Sequence, residues 1–424
     1  MNSYATKNRL SYFLVFISIL FLTGEISARK RKVLFIGNSY VATNNLPLMI
    51  AQVATSLGDT LVYDSNTPGG FTLANHFANP TTKAKIALGG WDLVIIQAQS
   101  QEPAFSDGQV STQTLPYAFK LDSLVNRMDS CTETQFYLTW GRKNGDASNC
   151  AFYPPICTYS GMQDKLTERY LRMSEIAKGS VAPVGEVWRK FRSAHPGIEL
   201  YNPDESHPIV SGTYLAALVF YQSIFRKEIN GAVYKPSSIA DTTASFIKTI
   251  SGQIMRDSAA NWFRQGRLAS AGFETTVSNG QASFQNTSFA ANQFFWNFGD
   301  GNTSIEASPT HSYASTGNYS VKLTSKNGCK TDSIRKSVTI NFVSTLSLFS
   351  SEELEVFPNP FSDAINVVSK DEIRTISLYD LSGKRLISGD KRTQMITKGI
   401  PNGVYLLQIH FKNGQVEQKR ILKN

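Results

Sequence analysis

The sequence predicts an α/β domain built on a doubly wound, flavodoxin-like, five-stranded parallel sheet, followed by two small all-β sandwich domains. Three observations predict this. From Arg31 to about Leu268, short apolar runs alternate with amphipathic stretches. After Gly272 the texture changes to short strands rich in Ser, Thr, Asn and aromatics. The length of 424 residues leaves room for two or three domains of about 150 residues each.

In chain order, the first segment is an address. Lys7 and Arg9 precede the apolar run SYFLVFISILFLTG, and Ala28 offers a small residue at a cleavage point, so residues 1–28 read as a signal peptide. The alternative is a retained membrane anchor. No second apolar run of spanning length follows, which argues against a stable membrane span in the mature protein. The basic stretch from Arg29 to Lys32 reads as a solvated lead-in.

Five strands are then expected at KVLFIG, TLVYDSN, DLVIIQ, TQFYLTW and SVAPVG. Between the last two, Met162, Leu166, Tyr170 and Met173 recur at helical spacing and predict a core-facing helix. Strands alternating with helices imply a parallel sheet covered on both faces. Domain boundaries fall at 29–270 for the α/β domain and 271–341 for the first sandwich. A linker follows over 342–352, and the last domain runs over 353–424.

The net charge is +9, but Lys and Arg are scattered rather than gathered into a basic stripe with interleaved aromatics, which excludes a nucleic-acid partner. An exported chain meets oxidising conditions. Cys150 and Cys157 flank AFYPPI, a short loop able to bring them together, and are read as a disulfide. Cys131 and Cys329 fall in different domains and are read as free, buried thiols.

The chemistry begins at VLFIGNSY, where a buried strand runs into Gly37, Asn38 and Ser39. In a doubly wound sheet the groups that meet a ligand lie beyond the carboxyl ends of the strands, beside the first strand. GNSYVATNN lacks the second glycine and the lysine of a phosphate-binding loop, and it is not a GxSxG elbow. A serine capping the next helix is the competing reading. At the far end of the same domain, PDESHPIV places Asp204 three residues before His207. A carboxylate at that spacing can hold one imidazole nitrogen and leave the other to take a proton from a serine.

These residues resemble the SGNH (GDSL-like) hydrolases over roughly Lys32 to Phe225. The resemblance implies Ser39 as nucleophile, with Asp204 and His207 as its partners. It implies the Ser39 and Gly70 backbone N–H groups as oxyanion donors, the latter from PGGFTL. The third block departs from the usual Gly-x-Asn-Asp. QAQSQE stands there, with Gln101 as the amide donor and Gln97 or Gln99 as alternatives. His76, Gln97, Gln99, Trp140 and Arg142 are candidate substrate-lining residues. No metal and no cofactor are called for.

FFWNFGDGN with HSYASTGNYSVKLT resembles a polycystic-kidney-disease-type (PKD) module, an immunoglobulin-like sandwich. Trp296 is then its core anchor and Asp300 a turn former or calcium contact. FPNPFSDAINV through QKRILKN resembles the C-terminal sorting domain of the type IX secretion route. This implies export by that machinery to the surface of a Gram-negative bacterium or beyond it. The sequence thus predicts a secreted serine esterase acting on a small ester or an acylated polysaccharide. The alternative is a surface adhesin built on a degenerate hydrolase domain.

Overall fold

The computed structural model describes residues 28–342, 354–390 and 393–424. Apart from Ala28 the expected signal peptide lies outside these residues, as does the expected linker apart from Phe342. The chain divides into two compact units, 1–342 and 343–424.

The first unit opens with five strands: β1 (Lys30–Ile36), β2 (Thr60–Asn66), β3 (Leu93–Ile96), β4 (Glu133–Tyr137) and β5 (Ser180–Ala182). They form one parallel sheet in the order β2-β1-β3-β4-β5. Val33 to Ile36 and Leu93 to Ile96 are fully buried, as unbroken apolar runs must be when both faces of a sheet are covered. Each such side chain contributes ~1.5–3 kcal/mol. Right-handed crossovers place the helix Leu46–Ser56 on one face and the helices leading into β3, β4 and β5 on the other. After β5 the chain returns to the first face, where Val210–Phe225 packs on Leu46–Ser56. The order changes direction between β1 and β3, so a crevice opens beyond their carboxyl ends.

The same unit continues into two antiparallel sheets. One joins Thr310–Ser312, Gln281–Asn286 and Phe273–Ser278; the other joins Thr331–Ile340, Gly317–Lys326, Gln293–Asn297 and Thr303–Ser304. Trp296 is fully buried between them against Phe273 and Phe284. Asp300 closes its own turn, accepting from the Asn302 N–H (3.0 Å) and pairing with His311 (2.7 Å).

Two expectations are corrected here. Cys131 and Cys329 are not free thiols; they are bonded to each other, with Cα atoms 5.1 Å apart. The turn before β4 and the turn between Gly317–Lys326 and Thr331–Ile340 meet where the sandwich docks. Lys330 pairs there with Asp92 (3.1 Å), and Asn327 donates to the Arg267 carbonyl (2.8 Å). The Arg29–Lys32 stretch is not simply solvated. Arg29 and Arg31 are buried, and Arg29 pairs with Asp332 of the sandwich (2.5 Å). Among the described residues no helix is long and apolar enough to cross a membrane.

The second unit holds two further antiparallel sheets. Glu355–Phe357, Ala364–Val368 and Gln394–Ile396 form one, and Arg385–Asp390, Ile373–Tyr379, Gly403–Phe411 and Val416–Lys423 form the other. Alternating residues of the long strand, Tyr405, Leu407, Ile409 and Phe411, point into its core.

Candidate active site

The chain leaves β1 at Gly37, where a side chain is excluded: a Cβ would lie 2.7 Å from both Gln97 Oε1 and Val41 Cγ2. Asn38 then caps the short helix Ser39–Ala42, its Oδ1 accepting from the Tyr40 N–H (3.2 Å), and Ser39 is the first helical residue. Asn38 Nδ2 also donates to the Phe71 carbonyl (3.1 Å), which ties the glycine turn to the serine loop. Gly70 lies exposed in that turn at φ 71°, a conformation that favours glycine.

His207 reaches the same rim from the loop before Val210–Phe225. Its turn is heavily constrained. Asp204 Oδ1 accepts from the Ser206 and His207 amides (3.1 and 2.9 Å), and Glu205 takes a positive φ of 58°. The His207 carbonyl accepts from the Asn202 N–H (2.8 Å), and the Glu205 carbonyl from the Lys143 N–H (2.9 Å). With the backbone held, His207 Nδ1–H donates to Asp204 Oδ2. Nε2 stands 2.8 Å from Ser39 Oγ, placed to accept its proton. Burial works against the Asp204 charge, but the bonds from His207 and the two amides outweigh it and hold the carboxyl below its ordinary value. Ser39 and His207 are partly exposed and Asp204 is exposed, so a substrate can reach them.

An aromatic stack supports this turn. The Tyr40 ring meets the His207 ring edge-on (5.4 Å) and stacks on Trp140 (4.8 Å), which stacks on Trp188 (3.9 Å). Trp140 Nε1 donates to the Ser206 carbonyl (2.9 Å), and the Tyr40 hydroxyl bonds the Ser206 hydroxyl (2.7 Å).

Three of the expected substrate-lining residues are therefore corrected. Trp140 is fully buried and positions the histidine turn from below. His76 is also fully buried. Its Nε2 bonds the Gly37 carbonyl (2.9 Å) and its Nδ1 the Thr82 hydroxyl (3.0 Å), and burial pushes it toward the neutral form. Gln97 is buried with its Oε1 accepting from the Asn38 N–H (2.8 Å), so it shapes the serine loop rather than facing a ligand.

The other two glutamines lie at the rim. Gln99 Oε1 accepts from the amides of Gln101 (2.7 Å) and Glu102 (3.1 Å) and so closes the loop. Gln101 Nε2 donates to Asp146 Oδ2 (2.7 Å), and its second amide hydrogen has no acceptor among the described residues. Asp146 is fully buried and also accepts from Asn149 (2.9 Å), the residue before the loop closed by the Cys150–Cys157 disulfide. Arg142 is partly exposed, with Nη1 4.0 Å from Asp146 Oδ1. Sequence reasoning assigned no role to Asn38, Ser206, Trp188, Asp146 or Glu102. Of these only Asn38 carried a local signal, as a capping residue type beside the serine.

Glu102 follows in the same loop, with Oε2 buried and without a hydrogen-bond partner among the described residues. Burial pushes its carboxyl up from 4.5 to about 7. Below the ordinary value both folded and unfolded chains are protonated and nothing is lost. As pH rises toward 7 the unfolded chain ionises first and stability falls, and above 7 the full cost is present. Glu102→Gln is uncharged at every pH. It is expected to raise unfolding free energy by about 3 kcal/mol near pH 8 and to leave it unchanged near pH 4, read by chemical denaturation.

Comparison with known proteins locates two families along the chain. Residues 268–342 match the PKD domain, and residues 355–423 match the secretion system C-terminal sorting domain. Collagenase ColA of Bacillus cereus is 61% identical over 33 residues, which span 8% of this chain and only 3% of the collagenase. Two solved structures are similar to the N-terminal half. A DUF4886 family protein from Bacteroides uniformis is 17% identical, covering 54% of this chain and 95% of that one, with a TM-score of 0.47. A putative SGNH hydrolase from Slackia heliotrinireducens is 24% identical, covering 46% and 98%, with a TM-score of 0.38.

Proposed function

We propose that the protein is a secreted serine esterase that removes an acetyl or other acyl group from a carbohydrate. The observation that carries this reading is the 2.8 Å approach of Ser39 Oγ to His207 Nε2, with Nδ1 of the same ring held by Asp204. In this reading Ser39 Oγ attacks the ester carbonyl as its proton passes to Nε2. The tetrahedral oxyanion is met by the Ser39 and Gly70 N–H groups and by the second amide hydrogen of Gln101. His207 then gives its proton to the departing alcohol oxygen. Water, deprotonated by the same nitrogen, attacks the acyl-serine and releases the acid. Each oxyanion donor is worth on the order of a hundredfold to a thousandfold. Arg142, partly exposed beside Asp146, is the candidate substrate contact at this rim.

The remaining parts fit an exported enzyme. A leader over residues 1–28 starts the route, and the sorting domain hands the chain to the type IX machinery. The PKD module, within 271–341, presents the catalytic domain or contacts glycan. The full chain is expected to hydrolyse a chromogenic acetyl ester and to be labelled by an organophosphonate at Ser39, read by peptide mass spectrometry. Absence of both would leave a surface adhesin as the better reading.

A further inference from the structure

A cavity of about 330 Å³ lies between the start of the helix Tyr159–Ala177 and the end of the helix Val184–Ala194. Lys143, Tyr159, Ser160, Arg189, Arg192 and Glu199 contribute to its walls, and neither Ser39 nor His207 does. Three walls are cationic and one is anionic. Two of the cations already have carboxylate partners. Lys143 pairs with Glu199 (2.6 Å), and Arg189 pairs with Asp164 (2.6 Å) and Glu186 (3.1 Å).

Arg192 has none among the described residues. Its guanidinium is fixed by Nη2 donating to the Lys143 carbonyl (3.1 Å) and by lying over the rings of Tyr159 (4.0 Å) and Tyr201 (5.1 Å). Its Nη1 is buried and makes no hydrogen bond among the described residues. The Tyr159 hydroxyl is likewise buried, with the Arg192 guanidinium as its neighbour. Burial raises it, Arg192 and Arg189 only partly offsetting this, so it stays a neutral donor. Arg192 is thus the cation of this cavity that carries no carboxylate among the described residues, and a buried donor left without an acceptor is costly. A planar guanidinium held in place by stacking is suited to a carboxylate or sulfate.

The cavity is wired to the catalytic turn. The Lys143 N–H donates to the Glu205 carbonyl (2.9 Å), and Asn144 Nδ2 to Glu205 Oε1 (2.9 Å). On the other side Glu199 Oε1 accepts from the Tyr201 N–H (2.9 Å), where the chain turns toward Asp204. The volume suits one sugar unit. We propose that this cavity is a subsite for an oxyanion-bearing sugar unit, and hence that the esterase acts on an acylated acidic polysaccharide. The second clause rests on the esterase reading; the first does not.

The test uses the full chain carrying Ser39→Ala, so that binding is read without turnover. A uronate trisaccharide, a sulfated disaccharide and a neutral trisaccharide are titrated by calorimetry at low and high salt. At least one charged oligomer is expected to bind about tenfold or more tighter than the neutral one and to weaken with salt, and the two charged arms separate carboxylate from sulfate. Adding Arg192→Gln is expected to reduce that affinity about tenfold or more. No charged binding up to about 10 mM, or full affinity in the Arg192→Gln protein, overturns the proposal. Should that variant fail to fold, Ser193→Trp fills the cavity from its exposed wall, and full affinity there overturns it equally. A wild-type protein inactive on every ester but still binding the charged oligomer would remove the esterase reading and leave the subsite standing.

Discussion

Ser39→Ala and His207→Ala are each expected to lower kcat for a chromogenic acetyl ester by about four to six orders of magnitude, and the double variant by no more. The effects do not add because the two side chains perform one act. In the proposed reaction Oγ is a weak nucleophile until its proton has somewhere to go, and Nε2, 2.8 Å away, is the proposed acceptor. In the same reading the residual rate comes from the proposed oxyanion donors and from binding. Asp204→Asn keeps the turn's size but loses the charge that fixes the imidazole with its proton on Nδ1, and a loss of up to about 10⁴-fold is expected. The pH profile adds an independent check. The bonds from His207 and the two amides hold the Asp204 carboxyl below its ordinary value despite the opposing cost of burial. Its own titration is thereby displaced to the acid side of the ordinary carboxylate range. Protonation of Asp204 is therefore not expected to contribute to the loss of kcat/KM across the ordinary carboxylate range. A loss that follows protonation of Asp204 at its ordinary carboxylate value, or wild-type rates in any of the three variants, would overturn the assignment.

What could be read from the sequence follows the range of the interactions involved. Strand β1 ending in Gly-Asn-Ser and the turn Pro-Asp-Glu-Ser-His are local patterns, and each carries its chemistry within a few residues. That they meet, although 168 positions apart, needs more than the sheet order that opens a crevice beside β1: the loop between the helices Val184–Ala194 and Val210–Phe225 must also bring His207 to that rim. Trp140, His76 and Gln97 failed for one shared reason. Each lies just beyond a strand or a turn at this rim, where a polar or aromatic residue either faces the ligand or turns inward to support the loops. Only the packing of neighbouring elements decides which. Trp188 and Tyr40 draw Trp140 inward, Thr82 with the Gly37 carbonyl draws His76, and the Asn38 amide draws Gln97. Glu102 stands in a polar stretch and reads as solvated. Its burial comes from a helix more than fifty residues later, whose Tyr170 is close enough to feel its charge.

The Cys131–Cys329 bond was the least legible feature and carries the largest expected effect on stability. It joins residues 198 positions apart, from the turn before β4 to a turn of the sandwich that begins after Gly272. In the chain-entropy account a loop of that length removes about 5 kcal/mol of freedom from the unfolded chain, against about 2 kcal/mol for the seven-residue span of Cys150–Cys157. The bond also clamps an interface rich in charge. Arg29–Asp332 and Lys330–Asp92 cross it, and Asp332 accepts in addition from the Ala271 N–H (2.7 Å). The double replacement Cys131→Ser with Cys329→Ser is therefore expected to lower the unfolding free energy of unit 1–342 by several kcal/mol. The same treatment of Cys150 and Cys157 should cost less than half as much. Tryptic cleavage after the exposed Arg264, just before the junction, should accelerate only in the first variant. Chemical denaturation of both variants decides the ranking. Equal midpoints, or a larger loss from the short loop, would show that the docked contacts alone hold the sandwich to the α/β domain.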